Sequence, residues 1–264
     1  MIIEYVEYLN KASHFSKAFG ETFKGIQFEE KSQTVETFVL QALAMCSSHC
    51  RSAALLLQND FVGESATVLR SIQELLFDLY WIKEAENKED RCERAYQLEA
   101  DPYSHWDKET NIICKESSFS IGPQLRNNLK NVAVDYPFLT ESTTDGTVSF
   151  KSAPSFASRM GNVLRAKYYH IYCYSSIFTH PTPLVKSLYL KSVGSTSSRL
   201  FPFEESHKEL IAYTLFFIKC IFIIADDILG SFASSSQPQR YDLYNKMDEL
   251  VDISNNGYFH QNET

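Results

Sequence analysis

Apolar residues recur every three or four positions through most of this chain, which is the spacing of an amphipathic helix. The clearest stripe consists of Leu69, Ile72, Leu76 and Leu79, at steps of three, four and three. Only 9 glycines and 8 prolines interrupt the chain. We therefore predict an all-α fold, a multi-helix bundle with long antiparallel helices that forms one domain. The predicted helices cover residues 2–23, 34–59, 62–86, 88–100, 123–136, 156–179, 204–229 and 241–253.

Turn and cap residues set several of the predicted helix ends. Asn59 and Asp60 separate two helices by a link short enough to make them antiparallel neighbours. Pro102 is predicted to end the charged fourth helix, because proline has no amide hydrogen for the helix interior. Ser155 is the predicted N-cap of the helix over 156–179.

Three segments are predicted to lie outside the regular bundle. Residues 1–30 are expected to include an N-terminal docking arm. Residues 140–155, which are rich in serine, threonine, aspartate and glycine, are expected to form a surface loop. Residues 254–264 are expected to form a flexible tail.

The net charge of −8 argues against a surface that attracts nucleic acid everywhere, although it leaves room for a local basic groove. The six cysteines are dispersed, as in reduced cytosolic proteins. Residues 210–225 are almost wholly apolar, but they include Lys219 and fall short of the roughly 20 residues that a bilayer requires. We therefore predict a buried helix there, and a soluble cytoplasmic protein with no membrane partner.

A polar and aromatic stripe runs along the helix over 156–179, opposite its apolar face. It consists of Arg165, Tyr169, Tyr172, Ser176 and His180, at steps of four, three, four and four. Either these side chains satisfy one another at a helix–helix seam, or they form the wall of a ligand groove. Tyr172, Ser176 and His180 span about two turns and could surround one ligand, with His180 as the proton carrier.

Arg70 and Glu74 are a second candidate pair, on the side of their helix away from the leucine stripe. An arginine among aromatic residues can bind an anion such as phosphate. It can also form an ordinary ion pair with a glutamate four residues later, or pair with Asp226 or Asp227 of the apolar helix. The sequence leaves these three interpretations open.

Other catalytic motifs are missing from the sequence. Cys46, His49 and Cys50 have the only metal-like spacing, and they lack the further ligands of a zinc site. The chain contains no phosphate-binding loop, dinucleotide fingerprint, zincin motif or nucleophile elbow. We therefore expect no metal and no cofactor.

The arginine and histidine motifs resemble those of a family of helical bacterial proteins, over about residues 35 to 230. That family carries an Arg-Ser-x-x-Glu helix early and a Tyr-Tyr pair followed by Ser-x-x-x-His-Pro late. Here the motifs comprise Arg70, Ser71, Glu74, Tyr168, Tyr169, Ser176, His180 and Pro181.

Members of that family look like distant relatives of HEPN domains, helical bundles of phage-defence and toxin systems, many of which cut RNA as dimers. The resemblance implies an Arg-x(4–6)-His motif, which only Arg165 and His170 match. These two point about 140° apart on a straight helix. Tyr174 and Ser175 stand where an arginine is expected before His180.

The stripe and the resemblance together predict a metal-independent RNA endonuclease that acts on RNA or a nucleotide, as a homo-oligomer or with a partner protein. The predicted catalytic residues are His180, Arg70 and Glu74. The predicted ligand-binding residues are Ser176, Tyr172, Tyr169 and Arg165. The alternatives are a non-enzymatic protein-interaction module and a sensor that binds a nucleotide or small anion without cleaving it.

Overall fold

The helices observed match the predicted class of fold. The computed structural model describes residues 2–25, 34–116, 121–142, 148–179, 191–193, 197–199 and 205–259. These residues contain eight α-helices, namely α1 (Ile2–Glu21), α2 (Thr34–Gln58), α3 (Val62–Lys83), α4 (Lys88–Glu116), α5 (Ile121–Asp135), α6 (Phe156–Ile177), α7 (Glu205–Leu229) and α8 (Gln237–Phe259). The prediction of an all-α fold is confirmed.

Short elements connect the helices. The segments Pro137–Leu139 and Gly230–Ser236 are 3₁₀-helical. Strands β1 (Thr140–Ser142) and β2 (Val148–Phe150) form an antiparallel pair, and so do β3 (Lys191–Val193) and β4 (Ser197–Arg199). The predicted surface loop over 140–155 therefore contains a small hairpin, and Lys151 extends it by donating its amide hydrogen to the carbonyl of Leu139 at 2.9 Å.

The link between α2 and α3 is the predicted turn. Asp60 has φ of +62°, in the left-handed region that aspartate tolerates better than most residues. The Asn59 amide donates to the carbonyl of Leu55 at 2.8 Å, and the Phe61 amide hydrogen is donated to Leu56. The chain reverses within three residues, and α3 packs against α2.

Helix α7 lies at the centre of the core and contacts α1, α2, α3, α6 and α8. Its fully buried side chains cover about half of its circumference, and they include Leu210, Ile211, Leu215, Phe217, Ile218, Ile221 and Phe222. Its one central cation, Lys219, pairs with Asp248 of α8. The prediction of a buried apolar helix is confirmed. No helix in the described part of the chain has the length and apolar character of a membrane span.

Helix α1 contributes directly to this core. Val6, Leu9 and Phe19 are buried, and the ring of Phe19 stacks on that of Phe222 with 4.3 Å between centroids. The inner face of α1 packs on α2, α7 and α8. A docking role for this helix therefore stays a prediction about its outer face, where Ile3 is exposed.

Helix α4 continues through Pro102, so the predicted end before this residue is wrong. Proline in a helix interior removes one backbone hydrogen bond and typically costs about 3 kcal/mol. Packing on both sides of Pro102 offsets that loss: Ala100 is fully buried, and the ring of Tyr103 stacks on Phe150 of β2 at 5.5 Å. These residues belong to a second, smaller core between α4, α5 and the first hairpin.

The last helix is longer at both ends than the predicted 241–253. Ser254 is buried, and its hydroxyl donates to the carbonyl of Val251 at 2.8 Å. The first part of the predicted flexible tail, over 254–259, is therefore helical. Residues 260–264 lie outside the described residues.

Arg240 joins the start of α8 to the end of α7. Its side chain is 4% exposed, and its Nε donates to Asp226 Oδ1 at 2.5 Å. Its Nη1 donates to the carbonyl of Ala233 at 2.6 Å, and its guanidinium carbon lies 5.1 Å from the ring centre of Phe23. Gly230 is close by, and a Cβ there would meet Asp226 Oδ1 at 3.0 Å. One arginine thus holds the α7–α8 turn.

We expect Arg240→Ala to lower the free energy of unfolding by about 2 to 4 kcal/mol, because it leaves buried carbonyl oxygens without a charged donor. The matched control is Lys246→Ala, since Lys246 pairs with Asp242 on the exposed surface of the same helix and should contribute at most about 0.5 kcal/mol. Urea denaturation of both variants measures the difference. Equal stabilities of the two variants would contradict this role of Arg240.

Candidate functional site on the seam between α3 and α6

Helix α6 begins as predicted but is interrupted early. The Ser155 hydroxyl accepts the amide hydrogen of Ser158 at 3.3 Å, which confirms the N-cap. Gly161 then adopts φ of +63° and ψ of 172°, so α6 consists of two helical segments. On a straight helix Phe156 and Tyr172 would point about 160° apart. Across this break their rings stack instead, 4.4 Å apart, so Phe156 lies beside the polar stripe.

Arg70 lies at the centre of the seam, with one partner on its own helix and two beyond it. Its Nε donates to Glu74 Oε1 at 2.8 Å, its Nη1 to Thr179 Oγ1 at 2.7 Å and its Nη2 to the hydroxyl of Tyr172 at 2.8 Å. The guanidinium carbon is 4.8 Å from the centre of the Tyr172 ring. The Arg70 side chain is 19% exposed, so the guanidinium is held in place yet reaches the surface.

The local i, i+4 pair of Arg70 and Glu74 is thus observed, and the alternative partners are excluded. Asp226 pairs with Arg240 on α8. Asp227 pairs with Lys83, 3.2 Å away, at the end of α3. The interpretation that joined Arg70 to either aspartate is therefore wrong, because both carboxylates are bound elsewhere.

A second ion pair continues the seam, and the sequence predictions missed it. Arg159 Nε donates to Asp78 Oδ1 at 2.7 Å, with both side chains less than one-fifth exposed. Burial raises the pKa of Asp78 to about 6, although Arg159 acts in the opposite direction. Asp78 follows Arg70 and Glu74 at steps of four, which was the sequence signal that one face of α3 is polar.

The exposed end of the stripe is formed by Tyr169 and Arg165. The Tyr169 ring is 6.2 Å from that of Tyr172 in a stacked arrangement, and Tyr169 is 38% exposed. The guanidinium carbon of Arg165 lies 5.2 Å from the Tyr169 ring centre. We call the whole polar and aromatic surface the α3–α6 ledge, which comprises Arg70, Glu74, Asp78, Phe156, Arg159, Arg165, Tyr169, Tyr172, Ser176 and Thr179.

Side-chain hydroxyl groups bond to backbone carbonyls at the C-terminal end of α6. Ser176 donates to the carbonyl of Tyr172 at 2.6 Å, and Thr179 donates to that of Ser176 at 2.7 Å. Thr179 therefore connects Arg70 to the end of the helix, a role that the sequence predictions did not assign. Burial raises the pKa of Tyr172, so its hydroxyl keeps its proton. His180, the predicted proton carrier, follows Thr179 in the sequence and lies outside the described residues.

Arg165 and His170, the formal match to the HEPN motif, point to different parts of the structure. His170 Nε2 lies 3.6 Å from Glu209 Oε1 of α7, and its ring approaches Tyr213 at 5.7 Å. Arg165 lies over Tyr169 on the ledge. The two side chains do not form one site.

Metal binding was not expected, and the described residues contain no group of three histidine, cysteine or acidic side chains placed to hold a metal. Cys46 and Cys50 are fully buried in the core instead. Burial raises the pKa of the Cys46 thiol to about 12, so the thiol is protonated.

Fold and site together define an all-α helical bundle with an arginine–tyrosine ledge between two helices. Comparison of the chain with protein-family models, with curated proteins and with solved structures finds no match. The HEPN relationship therefore remains a prediction.

The end of α6 also packs on a buried histidine. His207 of α7 is fully buried, with Nε2 2.9 Å from the hydroxyl of Ser65. The rings of Tyr174 and Phe178 lie 6.3 and 6.4 Å from its own. Burial lowers the pKa of His207 to about 4 from its ordinary value of 6.5. His207 is therefore neutral at physiological pH and holds α6 and α3 against α7.

We expect acidification to destabilise the protein through His207. Between pH 6.5 and about 4 the unfolded chain binds a proton that the folded chain excludes, so the free energy of unfolding falls as the pH is lowered. The contribution of His207 to this loss is about 2 kcal/mol between about pH 7.5 and about pH 5, and the raised pKa of Asp78 acts in the opposite direction. Urea denaturation at both pH values should show a smaller loss for His207→Gln. A variant of the exposed His105 on α4 should keep the pH dependence of the wild type, and equal pH dependence in both variants would contradict the assignment.

Proposed function

We propose that this protein is a HEPN-like helical RNA endonuclease of a phage-defence or toxin-type system, which binds single-stranded RNA along the α3–α6 ledge and cleaves it without a metal ion. The observation that carries the proposal is the Arg70 guanidinium, which is fixed by three partners and lies against a row of stacked aromatic rings. The resemblance described above adds a homodimer as the expected active form.

RNA binding is supported by the chemistry of the ledge. Unpaired bases stack on aromatic rings, worth about 1 to 3 kcal/mol per base, and arginine binds the phosphates between them. Tyr169 offers an exposed ring, and Arg165 lies over it. The ledge carries three arginines, namely Arg70, Arg159 and Arg165, and two carboxylates that pair with two of them. In a chain of net charge −8, this leaves a local excess of positive charge, as RNA binding requires.

The proposed reaction is an internal transfer at the phosphodiester. His180 takes the proton of the ribose 2′-hydroxyl, the 2′-oxygen bonds to phosphorus, and the bond to the 5′-oxygen breaks, with that oxygen taking a proton from water. The products are a 2′,3′-cyclic phosphate and a 5′-hydroxyl. Arg70 stabilises the negative charge that develops on the phosphate oxygens. Glu74 holds the Arg70 fork in its orientation.

The test is cleavage of single-stranded RNA by the purified protein in the presence of a chelator. We expect His180→Ala to lower the rate about 100-fold or more, because general acid–base catalysis contributes that much. Arg70→Lys keeps the charge but loses the fork, and it should lower the rate as well. His105→Ala, on the exposed side of α4, is the control and should cleave like the wild type.

Melting temperatures recorded for every variant separate chemistry from folding. Cleavage that is lost in a His180→Ala protein of normal melting temperature supports the proposal. Undiminished cleavage by that variant would overturn the role of His180. A wild-type protein that neither binds nor cleaves RNA would overturn the proposal as a whole.

A second candidate function is a non-enzymatic helical interaction module, and the bridging position of Arg70 favours it. Through Thr179 and Tyr172, Arg70 connects α3 to the end of α6, as expected of a structural residue. In that case the ledge stabilises the bundle, and the acidic surface receives a partner protein.

The free energy of unfolding of Arg70 variants distinguishes this structural function from RNA cleavage. If Arg70 is structural, Arg70→Ala should lower the free energy of unfolding by about 2 kcal/mol or more, because it leaves Tyr172, Thr179 and Glu74 without their donor. Arg165→Ala is the matched control on the same ledge, and it should change stability by about 0.5 kcal/mol or less. A normal melting temperature of Arg70→Ala would exclude the structural interpretation.

A further inference from the structure

A pocket of about 360 Å³ lies on the other side of α6, where α6, α7 and α8 meet. Its volume is in the range of small-molecule sites. It shares no residue with the α3–α6 ledge. The side chains that matter for its chemistry are Lys167, Tyr168, Glu209, Tyr213, Phe216 and Asn255.

Aromatic rings form a corner in this pocket. The Tyr168 ring is 6.0 Å from that of Tyr213 at an interplanar angle of 71°, and 6.1 Å from that of Phe216. A flat ligand in such a corner stacks on one ring and meets the other with its edge. Burial raises the pKa of Tyr168 and of Tyr213, so both hydroxyls keep their protons. The corner therefore suits a planar heteroaromatic ring.

The polar side chains of the pocket differ in what they recognise. The carboxylate of Glu209 accepts hydrogen bonds, and His170 lies 3.6 Å from it on the α6 side. Asn255 offers an amide that donates and accepts at once, the pattern that pairs with the edge of a base. Lys167 is exposed, and its ammonium can meet an anionic group at the mouth of the pocket.

One class of ligand uses all of these groups. A simple organic cation would be repelled by Lys167, and a simple anion would be repelled by Glu209. A nucleotide has a flat base for the rings, an edge for Asn255 and Glu209, and a phosphate for Lys167. We propose that this pocket binds a 5′-mononucleotide whose base carries an exocyclic amino group, namely adenine, guanine or cytosine.

This inference does not rest on the proposed RNA cleavage. The ledge lies between α3 and α6, whereas the pocket lies between α6, α7 and α8. Because the two sites share one helix, a nucleotide in the pocket would contact α6 at Lys167 and Tyr168, one turn before Tyr172 of the ledge. A free nucleotide and the terminal nucleotide of an RNA have the same chemistry at this pocket.

Isothermal titration of the purified protein with AMP, GMP, CMP and UMP tests the inference. We expect the three amino-bearing nucleotides to bind at least about fivefold more tightly than UMP. Glu209→Gln replaces an acceptor with a group that also donates, so it should reduce or reverse this preference. Lys167→Gln should weaken the binding of AMP but leave the binding of adenosine, which has no phosphate, unchanged. Lys17→Gln, on the exposed surface of α1, is the control and should change neither.

If Glu209→Gln fails to fold, Asn255→Leu provides a second test. This variant should weaken the binding of all three amino-bearing nucleotides. Failure of the wild type to bind any mononucleotide at millimolar concentration, or binding that all three pocket variants leave unchanged, would overturn the inference. If the terminal nucleotide of an RNA also binds in the pocket, a short oligoribonucleotide should displace AMP from the Arg70→Lys protein. Nucleotide binding that survives in Arg70→Lys while cleavage is lost separates the pocket from the ledge.

Discussion

Helix α7 has apolar side chains over most of its circumference, and covering them is the constraint on which the rest of the structure depends. Phe217 and Phe222 are fully buried on different sides of it. Burying each such ring contributes about 1.5 to 3 kcal/mol, and no single neighbouring helix could cover both. Five helices therefore pack against α7. Helix α6 is one of them, so the position of the ledge follows from the core.

Within that arrangement α6 has to serve two environments. Its inner side contacts α7, where Ile171 is buried and His207 packs between aromatic rings. Its other side faces α3, where Arg70 and Arg159 meet carboxylates. Partial burial strengthens these charged contacts because the surrounding dielectric is lower than in water. The break at Gly161 lets Phe156 turn toward Tyr172 and completes the aromatic row.

The ledge and the proposed nucleotide pocket lie on different sides of the same helix, so α6 is the element through which coupling between them would act. Such coupling requires that the ligand bind one state of α6 better than another. The proposed RNA cleavage and nucleotide binding remain separate properties, because each has its own residues.

Features that depend on neighbours along the chain were predictable from the sequence. The helical periodicity, the turn at Asp60, the Ser155 cap and the burial of α7 all depend on local spacing or overall composition. The contact of Arg70 with Glu74 was predictable for the same reason, since residues four apart in a helix are neighbours. These features needed no knowledge of the tertiary fold.

Contacts between distant segments were decided only by the tertiary structure. Pro102 remains helical because residues of α5 and the hairpin pack around α4, and Asp226 binds Arg240 rather than Arg70 because α8 returns to the end of α7. The pair of Asp78 and Arg159 spans 81 residues. Sequence spacing determines which side chains share a face of one helix, but packing energy over the whole molecule determines which faces meet.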